Sequence, residues 1–211
     1  IDHSTTTAEA AGHTGGRCGH GGDLLYRWGN PQTYRRGDAD DQYYFNVHGA
    51  NWIDPYLPGA GNILTFNNGD RPNSNNDYSS VEEIVPPLQP DGNYTILPGE
   101  AWGPAAPVWS YSQPPGFYAY NRSGAYRLPN GNTLICETGD RNIFEVTMDG
   151  SKVWQYTPAA AVHRAPRYWY DIVGINDSSN IRSASLQNHP NPFNPQTTIT
   201  LEMPATGRER L

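Results

Sequence analysis

Residues Ser123–Tyr156 read SGAYRLPNGNTLICETGDRNIFEVTMDGSKVWQY, and this stretch decides the fold. Four short runs rich in β-branched and aromatic residues, Gly124–Arg127, Thr133–Cys136, Asn142–Thr147 and Lys152–Tyr156, are separated by turn residues. Asn130-Gly131 and Asp149-Gly150 tolerate the positive φ of tight hairpins, and Gly139-Asp140-Arg141 makes the third turn. The stretch predicts four antiparallel strands joined in sequence order.

An earlier stretch repeats the plan with insertions. His48-Gly49-Ala50 answers to Ser123-Gly124-Ala125, Gly61–Leu64 to Gly131–Leu134, and Asn68–Arg71 to the Gly139-Asp140-Arg141 turn. Glu83-Ile84-Val85 and Val108–Tyr111 answer to Phe144-Glu145-Val146 and Val153–Tyr156, while Leu24–Trp28 reads as the last strand of a preceding unit. Four antiparallel strands with a fixed order of turns make a propeller blade, and propellers hold about four to eight of them. The expectation is an all-β chain: a partial β-propeller of about three four-stranded antiparallel blades over residues 1–175, a polar linker over 176–185, and an extended C-terminal segment over 186–211. Further strands are expected at Asp23–Trp28, Tyr43–His48, Asn62–Phe66 and Val81–Val85, and a short helix at Ala8–Ala11 ended by Gly12. The opening Ile1–Ser4 has no signal-peptide pattern and reads as the middle of a strand, so sequence upstream of it is expected.

Composition agrees with an ordered β chain. Among 211 residues, 22 Gly and 19 Pro mark frequent turns, and 12% aromatic against 17% charged residues argues against disorder. A formal net charge of −7 without a basic stripe excludes nucleic acid as a partner, and no apolar run reaches the length of a membrane span. Cys18 and Cys136 are the only cysteines; one long-range disulfide and two free thiols both remain open.

Several segments resemble a known family. Ile1–Gly16 (IDHSTTTAEAAGHTGG), Gly21–Pro31 (GGDLLYRWGNP), Asn46–Ile53 (NVHGANWI), Gly61–Asp70 (GNILTFNNGD), Leu128–Glu137 (LPNGNTLICE) and Phe144–Tyr156 are similar to the arylsulfotransferases, bacterial six-bladed propeller enzymes. The tail Leu186–Leu201, with its phrase NPFNPQTTI, resembles the start of the immunoglobulin-like C-terminal sorting module of secreted proteins. The first resemblance implies sulfuryl transfer from an aryl sulfate to a second phenol through a central histidine, without a cofactor. The second implies a secreted, extracellular or surface-bound bacterial protein.

The chemistry behind this implication is simple. A neutral imidazole is a good nucleophile near pH 7, and an anionic group in transfer needs cationic donors on its oxygens. By resemblance, His48 and His3 stand at central histidine positions and Arg71 at a sulfate-binding position. The pattern is incomplete, however. Ser123 stands where the repeat would put a second histidine, no His lies between 49 and 162, and His163 reads as part of a closing loop. A second expectation is therefore a non-catalytic secreted binding or self-assembling protein, associating through exposed blade edges. His13, Cys18 and His20 are metal-ligand types at a spacing that matches no strong motif, and Asp38–Asp41 reads as a solvated acidic turn, so no metal is assigned. The tryptophans fall mostly at strand positions, which suits packing between units better than an aromatic subsite.

Overall fold

The four runs of the deciding stretch form one antiparallel sheet in sequence order: β5 (Gly124–Arg127), β6 (Thr133–Glu137), β7 (Asn142–Val146) and β8 (Lys152–Tyr156). The earlier stretch forms a second sheet of the same order: β1 (Val47–Trp52), β2 (Ile63–Asn67), β3 (Ser80–Ile84) and β4 (Trp109–Ser112). The computed structural model describes residues 2–72 and 77–167 and, further on, two strands at 185–189 and 198–202. The all-β class holds. Among the described residues there are two four-stranded sheets rather than three, and 23–28 form no strand. In that stretch the aromatic side chains are committed to a loop instead: Tyr26 Oη donates to Gly103 O and Trp28 Nε1 to Pro104 O, each at 2.7 Å.

The first strand also begins later than expected. Tyr43 and Tyr44 both donate their backbone N–H to Gly29 O, and Asn46 takes a left-handed φ of 59°, which breaks an extended run. β1 therefore starts at Val47. The helix α1 (Thr7–Ala10) starts one residue earlier than expected, because Thr6 and Glu9 close a reciprocal capping box. Residues 2–4 form a turn rather than a strand.

Register makes the repeat quantitative. Leu64 pairs with Glu83, and Glu83 with Trp109; Leu134 pairs with Glu145, and Glu145 with Trp154. Glu83 thus answers to Glu145 and not, as the sequence pattern has it, to Phe144, while Trp109 answers to Trp154 and Tyr111 to Tyr156. A bulge in β1 between His48 and Asn51 inserts one extra residue. Beyond it Asn51 answers to Tyr126, but before it His48 answers to Gly124 and not to Ser123.

The two sheets pack face to face. Leu64, Phe66, Val81, Trp109 and Tyr111 of the first meet Ala125, Ile135, Phe144 and Val146 of the second in one core. Phe117, on the segment joining β4 to β5, lies edge-on to Phe66 at 5.6 Å and Tyr111 at 5.5 Å. The first strands of the sheets touch at Gly49, whose φ is +63° and where a Cβ would lie 2.9 Å from Gly124 Cα. Only glycine meets both conditions. A buried ion pair also spans the interface: Arg127 donates to Glu83, both 4% exposed, and the guanidinium lies over the Trp109 ring at 5.2 Å.

The chain divides into two units, Ile1–Arg167 and Tyr168–Leu211, where the sequence pattern puts the boundary near 175. In the second, β9 (Ser185–His189) and β10 (Thr198–Glu202) pair antiparallel, and all of these residues but Ser185 lie in the stretch expected to be extended. Most of the expected linker 176–185 lies outside the described residues. No helix among the described residues is long and apolar enough to cross a membrane.

Candidate functional site

His48 is the second residue of the first strand of the first sheet and is half-buried. Its Nδ1 lies 2.6 Å from Asn68 Oδ1. Asn68 is fully buried, and its Nδ2 donates to Ala119 O at 2.5 Å and Arg122 O at 3.2 Å. With both amide hydrogens directed at carbonyls, Oδ1 is left as the acceptor. The hydrogen-bond network therefore assigns the Nδ1–H tautomer to neutral His48 and leaves a lone pair on Nε2. Such an imidazole is oriented by its partner and nucleophilic at its free nitrogen.

The carbonyl that holds Asn68 belongs to Arg122, which sits with Ser123 in a left-handed stretch before β5 (φ 57° and 79°). Arg122 NH1 lies 2.8 Å from His163 Nε2. A guanidinium only donates, so His163 Nε2 accepts and the ring's proton sits on Nδ1. Contacts thus run from His48 through Asn68 to the main-chain carbonyl of Arg122, whose guanidinium in turn meets His163. Sequence reading leaves His163 in a loop, gives Asn68 no role and passes over Arg122. The one signal pointing their way is the Asn68–Arg71 turn, which answers to the Gly139-Asp140-Arg141 turn of the repeat.

No contact in the described residues joins the other two expected site residues to this chain. Arg71 lies over the Tyr78 ring at 4.1 Å and the Phe45 ring at 5.4 Å, and its NH1 donates to Gly69 O at 3.0 Å. It lines a cavity of about 360 Å³ with Asn67, Ser80, Glu82, Ser110 and Ser112. Residues directly opposite in an antiparallel pair share a face. Asn67, Ser80 and Ser112 are paired across the sheet, whereas His48 is paired with Phe66 on the face towards the second sheet. Arg71 and His48 thus serve opposite faces. His3 is exposed in the turn after Asp2, whose carboxylate accepts from Cys18 N and from Ser4 and is held well below the usual range by those bonds.

Glu82 is the unexpected group in the Arg71 cavity. It is 1% exposed, its Oε2 has no hydrogen-bond partner, and burial pushes its carboxyl up to about 7. Tyr43 lines this cavity and also a larger cleft of about 600 Å³, together with Trp28, Tyr34 and Trp102.

No protein-family model, curated protein or solved structure matches this chain. The chemistry must be read from the residues themselves. Cys18 and Cys136 are separate free thiols, donating to Gly92 O at 3.5 Å and Val162 O at 3.2 Å. His13 pairs with Asp23 at 2.8 Å, and the carboxylates of Asp38 and Asp41 cap the short turn Ala39–Asp41, accepting from Asp40 N–H and Asp38 N–H. Among the described residues no group of three or more His, Cys, Asp or Glu comes together as a metal site.

Proposed function

We propose that the two sheets are successive blades of an arylsulfotransferase-like propeller in a secreted protein, and that His48 relays a sulfuryl group between two phenols. The observation that carries the reaction is the His48–Asn68 contact, with the Asn68 amide committed to Ala119 O and Arg122 O. It leaves Nε2 with its lone pair on an oriented ring. Support for the blades comes from the shared strand order, the matched register and the approach of the two first strands at Gly49 and Gly124.

In the proposed cycle, His48 Nε2 attacks the sulfur of an aryl sulfate. The N–S bond forms as the S–O bond to the aryl group breaks, and the phenolate leaves with the electron pair. A second phenol then attacks the sulfur, the N–S bond breaks, and its electrons return to Nε2. The acceptor's proton passes to solvent. Arg122 supplies positive charge for the sulfuryl oxygens.

Nitrophenolate release from 4-nitrophenyl sulfate with phenol as acceptor tests this. Turnover should vanish in His48→Gln and fall strongly in Arg122→Ala, both checked for folding by circular dichroism. A folded wild-type chain with no turnover, or a fully active His48→Gln, overturns it.

A specific observation also favours the second reading, a non-catalytic binding or assembly protein. The outer face of β5–β8 exposes Trp154 (48%) and Tyr156 (55%), a surface suited to a protein partner.

A further inference from the structure

The outer face of β5–β8 is the register counterpart of a surface that is already occupied elsewhere in the molecule. In the first sheet, Leu64, Val81, Glu83, Trp109 and Tyr111 receive the second sheet. Their counterparts in the second sheet are Leu134, Ile143, Glu145, Trp154 and Tyr156. The likeness extends to a polar detail. Asn62 Nδ2 donates to Glu83 Oε1 at 2.5 Å, and Asn132, its counterpart, donates to Glu145 Oε1 at 2.6 Å. At the first sheet this carboxylate, flanked by an asparagine and a tryptophan, receives the Arg127 guanidinium.

At the second sheet the same arrangement opens onto a depression lined by Leu134, Ile143, Glu145, Val153, Trp154 and Arg167. Arg167 lies at this depression with Glu145. The chain after β8 reaches the end of this face near Cys136 and Thr138, both of which donate to Val162 O. Trp154 and Tyr156 stay open.

We propose that the outer face of β5–β8 is the docking face for a further four-stranded unit that presents an arginine to the Asn132–Glu145–Trp154 socket. The partner's chemistry follows from the occupied interface: small and branched apolar side chains with one aromatic ring, as at Ala125, Ile135, Val146 and Phe144, around one guanidinium. A second copy of this chain is a poor occupant. Its Arg127 face is already buried against its own first sheet. The other face of its first sheet has Trp52 and Glu82 in place of Arg127 and Phe144, and Glu82 and Thr65 there are already buried. The inference rests on reading the sheets as successive units of one ring and is independent of sulfuryl transfer.

The test is hydroxyl-radical footprinting of the full chain and of a tandem chain in which residues 113–156 are repeated directly after Tyr156. The repeat supplies a neighbouring unit with its own linker and its own copies of Phe117 and Arg127. In the parent, Trp154 and Tyr156 should oxidise several-fold faster than Trp109 and Tyr111, which are 8% and 4% exposed. In the tandem chain their first copies should fall to the level of Trp109 and Tyr111. Arg127→Leu in the added copy, or Glu145→Gln in the first, should restore the faster rate, while Glu145→Gln leaves the parent pattern unchanged. Protection of Trp154 in the parent overturns the proposal. So does a tandem chain whose first Trp154 stays fully reactive, or protection that is indifferent to both substitutions. Loss of nitrophenyl sulfate turnover bears on none of these readouts.

Discussion

Replacing Arg127 with leucine should be among the most damaging single changes in the chain. Arg127 and Glu83 are each 4% exposed, and the guanidinium is the only cation that contacts Glu83 among the described residues. Leucine leaves the carboxylate buried with Asn62 as its remaining side-chain donor. Stranding a buried charge in this way costs about 3–5 kcal/mol, a large share of the roughly 5–15 kcal/mol that holds a domain together. At a few degrees per kcal/mol, the melting temperature should drop by roughly 10 °C. The double change Arg127→Met with Glu83→Leu removes both charges and keeps most of the volume, so it should lie within about 1 kcal/mol of wild type. Urea unfolding followed by tryptophan fluorescence, with Arg127→Met, Glu83→Leu and the double variant, yields the coupling. A cost below about 1 kcal/mol for Arg127→Leu, or strictly additive single changes, would refute the reasoning that this pair is a buried clasp between sheets.

Other predictions follow from the same geometry. Burial raises the Glu82 carboxyl from 4.5 to about 7, so the folded state holds a proton that the unfolded state has lost. Its contribution is therefore complete below about pH 4.5 and is lost as pH rises towards 7, a fall of about 3 kcal/mol in stability. Glu82→Gln should flatten this slope in urea titrations across that window; an unchanged slope contradicts the assignment. Asn68→Ala removes the bonds to Ala119 O, Arg122 O and His48, and should cost about 2–4 kcal/mol while also lowering nitrophenyl sulfate turnover. Full turnover in a folded Asn68→Ala chain would sever Asn68 from the site. In denaturant without reductant, intact mass should show two alkylations. In the folded chain Cys18 should react ahead of Cys136, whose thiol burial pushes up to about 11. A mass two hydrogens lighter, with no alkylation, would mean a disulfide instead.

Much of the fold was legible because hairpin chemistry is local. Lys152–Tyr156 appears as a strand with the expected ends, and the Asn130-Gly131 and Asp149-Gly150 turns define the sheet that contains it. What sequence could not convey was tertiary commitment. Leu24–Trp28 has the composition of a strand, yet its aromatic rings are spent on the loop at Gly103 and Pro104, and no strand forms there. The bulge in β1 shifts the equivalence of His48 by one residue, and no local sequence feature announces it. The site was half legible. His48 was visible as a residue type, but its tautomer depends on a buried asparagine and two carbonyls far along the chain. Arg71 was visible as an anion-ligand type, but only the pairing of Asn67 with Ser80 shows that its cavity lies on the opposite face from His48. The Arg127–Glu83 clasp joins residues whose pairing has no sequence period to announce it.

The central claim is that His48 Nε2 carries the sulfuryl group, and one measurement meets it directly. The chain is mixed with 4-nitrophenyl sulfate without an acceptor, quenched at alkaline pH and digested for peptide mass spectrometry. The account predicts that the peptide containing His48 gains the mass of one SO₃ group, that fragmentation assigns it to the imidazole, and that adding phenol before the quench removes it. An unmodified His48 peptide in a sample that releases nitrophenolate, or the added mass on another side chain, would contradict it.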